Sequence, residues 1–232
     1  MTEAAESPSL SSLTRHIVEW LGRVVTPVVA GKWWALRVGL FSTVMSFLLQ
    51  APPLELERSP FKTVIAQGAH PFTPMNVDPS SHEGKLAFRL VPPLLARFGH
   101  LSPASYYLLQ VVLGIATLSI LAWLFHNLGY SRRVSFALVF ALTFTYVGSV
   151  WFIDTHPYFD AIAASALVLA MAARQPVLVF LAASIALWTD ERSILPVLVV
   201  ALWHTHRRNR RGEIAVGIAI AGYLALRAYL GR

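Results

Sequence analysis

The chain has 232 residues, of which 56% are hydrophobic and only 13% are charged, and its mean hydropathy is +0.57. In soluble proteins of average composition about a quarter of the residues are charged. A water-soluble fold of this length could not bury so much apolar surface. The composition therefore excludes an ordinary soluble domain and predicts a bundle of membrane helices.

The net charge of +7 arises from 19 Lys and Arg residues against 12 Asp and Glu residues. The basic residues lie mainly in short segments between apolar runs, as orientation signals do in membrane proteins. We therefore expect no nucleic-acid partner. The chain contains no cysteine, which excludes disulfides, thiolate metal sites and cysteine nucleophiles.

The N-terminal part of the chain divides into three segments. Residues 1–12 are polar and Ser-rich, which predicts a disordered tail. Over residues 13–30 apolar side chains recur at spacings of three and four, which predicts an amphipathic helix on the membrane surface. A first apolar run then extends from Trp33 to Gln50, long enough to span when its aromatic end sits at the interface.

Residues 51–102 are rich in proline and poor in apolar runs, which predicts a long loop with short helical pieces. The segment GKLAFRLVPPLLARFG from Gly84 to Gly99 places its apolar and basic residues on different sides. It predicts an interfacial helix that is broken at Pro92 and Pro93.

Six further apolar stretches complete the chain, so residues 13–232 are predicted to form a single all-α membrane domain of about seven transmembrane helices. The predicted spans after the loop cover residues 104–126, 134–153, 158–173, 176–188, 193–204 and 213–230. The short connections after the second, fourth and sixth spans all carry arginine. By the positive-inside rule the N-terminus is cytoplasmic and the C-terminus extracytoplasmic, in the cytoplasmic membrane of a bacterial-type cell.

This orientation collects acidic residues on the outer face, in the long loop and in the turns IDTHPYFD and WTDERS. These residues are Glu55, Glu57, Asp78, Glu83, Asp154, Asp160, Asp190 and Glu191. The positive-inside rule concerns Lys and Arg only, so the clustering of acids needs its own explanation.

The turn Asp190-Glu191-Arg192 follows an unusually short apolar stretch. About fifteen residues separate Arg174 from Asp190, or roughly 22 Å of helix against a hydrocarbon core of about 30 Å. We expect the turn to be recessed into the membrane from outside, where ionisable groups are typically functional. Alternatively, Glu191 and Arg192 cap the adjoining helices or pair with each other, and Asp190 is the N-cap of the following helix.

Two other groups of polar residues have competing interpretations. The second half of the loop mixes possible proton acceptors with anion binders, namely Asp78, His82, Glu83, Lys85 and Arg89. Hard-metal ligands could come from His82 and Glu83 with His156 or Asp154, but the spacing matches no tight motif, so no metal or other cofactor is predicted. His204 and His206 are interpreted as an interfacial anchor.

The chain contains no P-loop, GxGxxG, GxSxG or membrane-embedded Gly-rich serine motif. These absences argue against NTP hydrolysis and serine proteolysis.

A first span, a long outer loop with interfacial helices and acids, and a run of short spans with polar turns on one face resemble the seven-helix module of GT-C class membrane glycosyltransferases. The segments HEGKLAFRLVPPLLARFG and WTDERSIL resemble the loop helix and an acidic turn of such proteins. The resemblance implies a polyprenyl-phosphate-linked sugar as donor and an outer-loop carboxylate as general base.

By this analogy the base follows the first span, at Glu55 or Glu57 in PPLELERS, where the family usually has Asp. Further candidates for the catalytic carboxylate are Asp78, Glu83, Asp154, Asp190 and Glu191. Candidates for substrate binding are His82, Arg89, His156 and Arg192, the two arginines as phosphate partners. The chain lacks the additional helices or soluble domain with which active members bind acceptors.

Two other functions fit the sequence. A non-catalytic subunit or scaffold, with a membrane protein as its partner, would account for the short chain and the absence of a sharp motif. A small transporter would use the turn at residues 190–192 for proton or anion coupling and would require a polar path toward the cytoplasm.

Overall fold

The computed structural model of the chain describes residues 19, 22–50, 67–68, 89–100, 102–145 and 159–229. Within these ranges all regular secondary structure is helical, beginning with helical residues 22–29. The longer helices are α1 (Trp34–Gln50), α2 (Val91–Gly99), α3 (Pro103–Asn127), α4 (Arg132–Thr143), α5 (Asp160–Ala172), α6 (Pro176–Thr189), α7 (Ile194–His206) and α8 (Arg210–Tyr229). A single 3-10 turn, Glu191–Ser193, connects α6 to α7.

Two of these helices, α3 and α8, are long and apolar enough to cross a membrane. The other apolar helices are shorter: α1 has 17 residues, α5 has 13 and α6 has 14. The predicted span over residues 134–153 is helical to Thr143 and turns at residues 144–145, and residues 146–153 lie outside the described ranges. Over the described residues the structure thus confirms the all-helical class, with two helices of spanning length. The prediction of about seven transmembrane helices stays a prediction.

Local sequence signals explain where several helices begin. Ser102 caps α3: its hydroxyl accepts a hydrogen bond from the Ser105 amide, and the Ser105 hydroxyl accepts one from the Ser102 amide. Pro103 occupies the first turn, where a missing N–H costs nothing. The Ser131 hydroxyl accepts a hydrogen bond from the Val134 amide at the start of α4. These caps fix the starts of α3 and α4.

The prolines of the loop segment lie at the start of a helix. Pro92 and Pro93 lie in the first turn of α2, while Arg89 and Leu90 are not helical. The first-turn N–H groups have no partner within the helix, so proline is tolerated there. The part of the predicted helix that precedes Arg89 lies outside the described residues, so a helix broken at these prolines stays a prediction.

Two hydrophobic clusters hold the bundle together, and α3 joins them. In the first, α1 packs against α3 and α4 around Val38, Leu118 and Val139. In the second, α5, α6, α7 and α8 pack around small side chains, including Ala170, Ala183, Ala186 and Ala219. Helix α3 also packs against α5, where the Thr117 hydroxyl donates a 2.7 Å hydrogen bond to Ser165.

The helix directions give the bundle two chemically different ends. At one end α3, α5 and α7 begin and α6 and α8 finish; we call it the site end. At the other, the basic end, lie the arginines in the first turn of α4, between α5 and α6, between α7 and α8, and in the first turn of α8. These basic residues are Arg132, Arg133, Arg174, Arg207, Arg208, Arg210 and Arg211.

His204 is a buried structural residue and not an interfacial anchor. Only 2% of it is exposed. Its Nε2 lies 3.0 Å from the Ala170 carbonyl oxygen and its Nδ1 lies 3.1 Å from Asn209 Nδ2. A neutral ring that donates from Nε2 and accepts at Nδ1 satisfies both contacts. The ring thereby ties α7 to the end of α5.

Gly39→Ala is expected to destabilise the fold by about 1–3 kcal/mol through overpacking between α1 and α3. A Cβ at Gly39 would clash with Ser119 Oγ and lie 2.6 Å from the Ile115 carbonyl oxygen. The matched control is Gly217→Ala in α8, where no atom lies within 4 Å of the added Cβ. Thermal unfolding of the detergent-solubilised protein measures both, and equal melting temperatures for the two variants would contradict the close α1–α3 contact.

Candidate functional site: a charged cluster beside an apolar groove

The turn between α6 and α7 is organised by the Asp190 carboxylate. Asp190 has an extended backbone, and its Oδ1 accepts a 3.1 Å hydrogen bond from the Arg192 amide. The side chain thereby caps the 3-10 turn, as short polar side chains do at helix starts. One alternative interpretation of the sequence, a capping role for Asp190, therefore has a geometric basis.

The same carboxylate binds two guanidinium groups. Arg192 Nε and Nη2 lie 3.0 Å and 2.8 Å from Asp190 Oδ2. Arg89 Nη2 lies 3.6 Å from Asp190 Oδ1, and both of these side chains are at least nine-tenths buried. Arg192 also reaches Asp160 Oδ1 at 3.4 Å. We call Arg89, Asp160, Asp190 and Arg192 the charged cluster.

The ion pairs decide the protonation state of Asp190. Burial by itself would raise the pKa of this carboxyl group, but the hydrogen bonds from Arg192 and the charge of Arg89 outweigh burial and hold the pKa below its ordinary value. The hydrogen bond between the two side chains also raises the pKa of Arg192, because it favours the charged guanidinium. Asp190 is therefore a fixed negative charge, well suited to orient arginines and poorly suited to accept a proton.

Asp160 enters the cluster through an unusual backbone conformation. Phe159, the residue before it, has φ of 60°, a left-handed conformation that costs a non-glycine residue about 1 kcal/mol or more. The Phe159 ring is buried against Tyr106 at a centroid distance of 4.7 Å. Packing of the ring thus holds the strained residue and sets Asp160 as the first residue of α5, facing Arg192.

Arg89 is brought to the cluster by the chain that enters α2. The Leu90 amide donates a 2.9 Å hydrogen bond to the Trp188 carbonyl oxygen, so the start of α2 is bound to the end of α6. Arg89 directly precedes this contact and is 8% exposed. A buried guanidinium needs a partner charge, and Asp190 provides it.

Glu191 lies outside the charged cluster. Its Oε2 accepts a 2.9 Å hydrogen bond from Arg227 Nη2 in the last turn of α8. Arg227 Nη1 also donates to the Tyr223 hydroxyl at 2.6 Å. The turn therefore presents its two acidic side chains to different partners, and Glu191 connects the turn to α8.

An apolar groove of about 530 Å³ opens beside the charged cluster. Helix α2 forms one wall with Leu94 and Phe98, and α3, α5 and α6 form the others. Val91 and Ile162, which lie two residues from Arg89 and Asp160, line the groove next to the cluster. Among its described lining residues the polar side chains are Thr117 and Ser165, which form a hydrogen bond with each other.

The structure brings together three residues that the sequence singled out: Arg89, Asp190 and Arg192. The other candidates, Glu55, Glu57, Asp78, His82, Glu83, Asp154 and His156, lie outside the described residues. Among the residues that are described, no three His, Asp or Glu side chains converge on a possible metal position.

Two site residues were not among the sequence candidates. Asp160 was placed on the acidic face but given no role, although an acid that opens an apolar helix directly after a proline-containing turn was the available signal. Arg227 is a lone charge in the last turn of an apolar helix, which by itself marks a position that needs a partner. The spacing along the chain did not reveal that the partner is Glu191.

Asp190→Asn is expected to lower the free energy of unfolding by about 1–3 kcal/mol, because it removes the buried negative charge that pairs with both Arg89 and Arg192. The matched control is Glu191→Gln, whose pair with Arg227 is about one-third exposed on both sides and should be worth less than about 1 kcal/mol. Chemical or thermal unfolding in detergent measures the difference. A larger loss for Glu191→Gln would contradict the assigned roles.

The pH dependence of the Asp190 effect provides a second check. Because the folded-state pKa of Asp190 is lowered, its stabilisation is complete above the unfolded-state pKa of about 4 and disappears as the pH falls through the lower folded-state pKa. The difference in melting temperature between the wild type and Asp190→Asn should therefore shrink as the pH falls below about 4. A difference that widens in acid would contradict the ion pairs.

Comparison of the chain with protein-family models, with curated proteins and with solved structures gave no match. A functional assignment therefore depends on the chemistry of the charged cluster and the groove.

Proposed function

We propose that this chain is a seven-helix membrane protein of the GT-C type that binds a polyprenyl-phosphate-linked sugar and transfers the sugar at the extracytoplasmic face. The observation that carries the proposal is the juxtaposition of an apolar groove with an arginine–carboxylate cluster. A ligand with a hydrocarbon tail next to a phosphate matches both parts.

The groove has the size of a small-molecule binding site. Its volume of about 530 Å³ lies within the range of about 300–1,000 Å³ typical of ligand pockets. A long isoprenoid would place its first units in the groove and the remainder in the surrounding lipid. Because the tail moves from hydrocarbon to an apolar wall, the hydrophobic effect adds little affinity. The groove therefore supplies position and shape selectivity, and the phosphate supplies affinity.

Arg192 is the proposed phosphate ligand. Its side chain is 69% exposed, so it can reach a headgroup, while its contacts with Asp190 fix the plane of the guanidinium. Guanidinium groups bind phosphate through paired N–H donors. The contact between Arg192 and Asp160, at 3.4 Å, is longer than the 2.8 Å contact with Asp190. A phosphate that competes for Arg192 would displace Asp160 first.

Displacement of Asp160 gives the reaction a proton acceptor. The acceptor hydroxyl attacks the anomeric carbon of the donor sugar and gives its proton to the Asp160 carboxylate. The new bond between the hydroxyl oxygen and the anomeric carbon forms as the bond to the phosphate oxygen breaks. The lipid phosphate leaves with the bonding electrons and is stabilised by Arg192, while Asp190 keeps both arginines in place.

The proposed orientation places the site end outside and the basic end in the cytoplasm, as the positive-inside rule requires. Helices α5, α6 and α7 have 13, 14 and 13 residues, or roughly 20 Å each, against a hydrocarbon thickness of about 30 Å. With their arginine-rich ends at the cytoplasmic surface, the charged cluster lies recessed below the outer surface. A recessed site meets the headgroup of a lipid substrate without removing the tail from the bilayer.

Arg192→Gln should weaken binding of a polyprenyl phosphate to the purified protein about tenfold or more, since a charge-assisted hydrogen bond contributes about 1.5–3 kcal/mol. Ala116→Phe should weaken it by filling the groove that Ala116 lines. Binding to protein in nanodiscs, followed by the fluorescence of a labelled short-chain polyprenyl phosphate, measures both effects.

Matched controls for that experiment are Arg133→Gln at the basic end and Ala221→Phe on the exposed face of α8, both outside the lining of the groove. The controls should bind as the wild type does. If Arg192→Gln and Ala116→Phe also bind like the wild type, the groove and cluster do not form a lipid-phosphate site.

Asp160→Asn should retain lipid-phosphate binding but lower sugar transfer by about 10²–10⁴-fold, because the amide cannot accept the hydroxyl proton. Transfer of radiolabelled sugar from a polyprenyl phosphate donor to a panel of acceptors, including water, measures the reaction. Binding without turnover in the wild type would favour the second candidate, a non-catalytic subunit, which is also consistent with the balanced formal charge of two arginines and two aspartates in the cluster.

A further inference from the structure

A second cavity, of about 640 Å³ and with a polar lining, lies at the basic end, where α3, α5 and α7 finish. Its polar and aromatic lining includes Trp123, Asn127, Arg174, Trp203, Arg207 and Arg208. We call this the basic pocket. It lies at the opposite end of the bundle from the charged cluster, and the two sites share no residue.

The walls of the basic pocket are fixed by hydrogen bonds between helices. Trp203 Nε1 donates a 2.9 Å bond to the Met171 carbonyl oxygen, and the buried His204 joins Ala170 to Asn209. Arg207 lies over the Trp203 ring, 5.3 Å from its centroid. These contacts hold the end of α7, which Arg207 and Arg208 follow, against the end of α5, which Arg174 follows.

The balance of charge in the pocket is positive. Three helix C-termini meet there, and each contributes about −0.5 of an elementary charge. Arg174, Arg207 and Arg208 contribute +3, which leaves a net charge of roughly +1.5. Within the described part of the chain no carboxylate forms an ion pair with these three arginines, whereas at the site end Arg89, Arg192 and Arg227 all have carboxylate partners. An anion would complete the pocket.

Arg208 occupies a backbone position that favours glycine. Its φ is 55°, in the left-handed region, and it directly follows Arg207, the C-cap residue of α7. Glycine is the usual residue at that place because it avoids a steric cost of about 1 kcal/mol. The strained backbone of Arg208 thus places a long cationic side chain in the lining of a positive cavity, which points to a binding role for that side chain.

We propose that the basic pocket binds the phosphate group of an anionic phospholipid. The phosphate accounts for the arginines, and Trp123 and Trp203 account for the lipid, because tryptophan favours the level of the headgroups. Basic pockets between helices at the cytoplasmic surface bind anionic headgroups in this way. The ligand is distinct from the proposed polyprenyl donor, so the inference depends only on the chain lying in a membrane with its basic end at a surface.

Arg174→Gln and Arg208→Gln should each lower the affinity for phosphatidylglycerol about fivefold, the equivalent of about 1 kcal/mol per arginine at a lipid surface. Native mass spectrometry of the detergent-solubilised protein, titrated with phosphatidylglycerol or with phosphatidylcholine of the same chains, measures the affinities. Arg133→Gln removes a charge from the same end but outside the pocket and should leave binding unchanged.

Arg208→Gly separates a binding role from a structural one. Glycine relieves the left-handed strain, so the variant should melt at the wild-type temperature or a few degrees higher, and it should still lose affinity for phosphatidylglycerol. Wild-type affinity in Arg208→Gly and Arg174→Gln, or equal affinity of the wild type for the two lipids, would overturn the proposal. Displacement of phosphatidylglycerol by millimolar inorganic phosphate would overturn the lipid assignment and assign the pocket to a soluble phosphate.

Discussion

The site end of the bundle depends on one buried carboxylate, that of Asp190. It caps the turn between α6 and α7, binds Arg192 within that turn, and binds Arg89 from the segment that enters α2. Through Arg192 it is also coupled to Asp160 at the start of α5. Removing a charge from water is costly, and the cost is offset only when the partners satisfy the charge geometrically. This requirement brings four charged side chains from three separate segments of the chain together at one point.

The remainder of the bundle makes that convergence possible by packing closely. Helices α5, α6 and α8 meet through alanine and valine side chains, including Ala170, Ala183 and Ala186, all fully buried. Small side chains let helix backbones approach each other, which is how helices associate where no hydrophobic force operates between them. The cluster therefore sits on a rigid base, with α2 laid across one side to form the groove.

The sequence predicted the helical architecture well and the site in part. Apolar run length and the arginines between runs were sufficient to find α3, α6 and α8 within three residues of their ends, because those signals are local. The turn at residues 190–192 was identified because its charges interrupt an apolar region. Its partners could not be predicted: Asp160 is thirty residues earlier and Arg227 is in the last helix, and long-range pairing leaves no periodic trace in a single sequence.

Long-range contacts also decide the details at individual residues. Pro92 and Pro93 are compatible with a helix break and with a helix start, and the hydrogen bond from Leu90 to Trp188 anchors the start of α2 directly before them. His204 looked like a surface residue because arginines follow it. It is buried because Asn209 folds back to satisfy one ring nitrogen and Ala170 satisfies the other.

In the membrane arrangement proposed above, the unequal helix lengths have a consequence for the surrounding lipid. Helix α3, with 25 residues, is roughly 37 Å long, while α5 and α7, with 13 each, are roughly 20 Å. A bilayer in contact with both must match a long element on one flank and a short one on another, and each ångström of mismatch costs a fraction of a kcal/mol. The bilayer around the protein would thus be thinner beside α7 than beside α3. A neighbouring protein with similarly short helices would share the thinned region and so reduce the total area of deformed bilayer. The lower deformation energy would favour association of the two proteins.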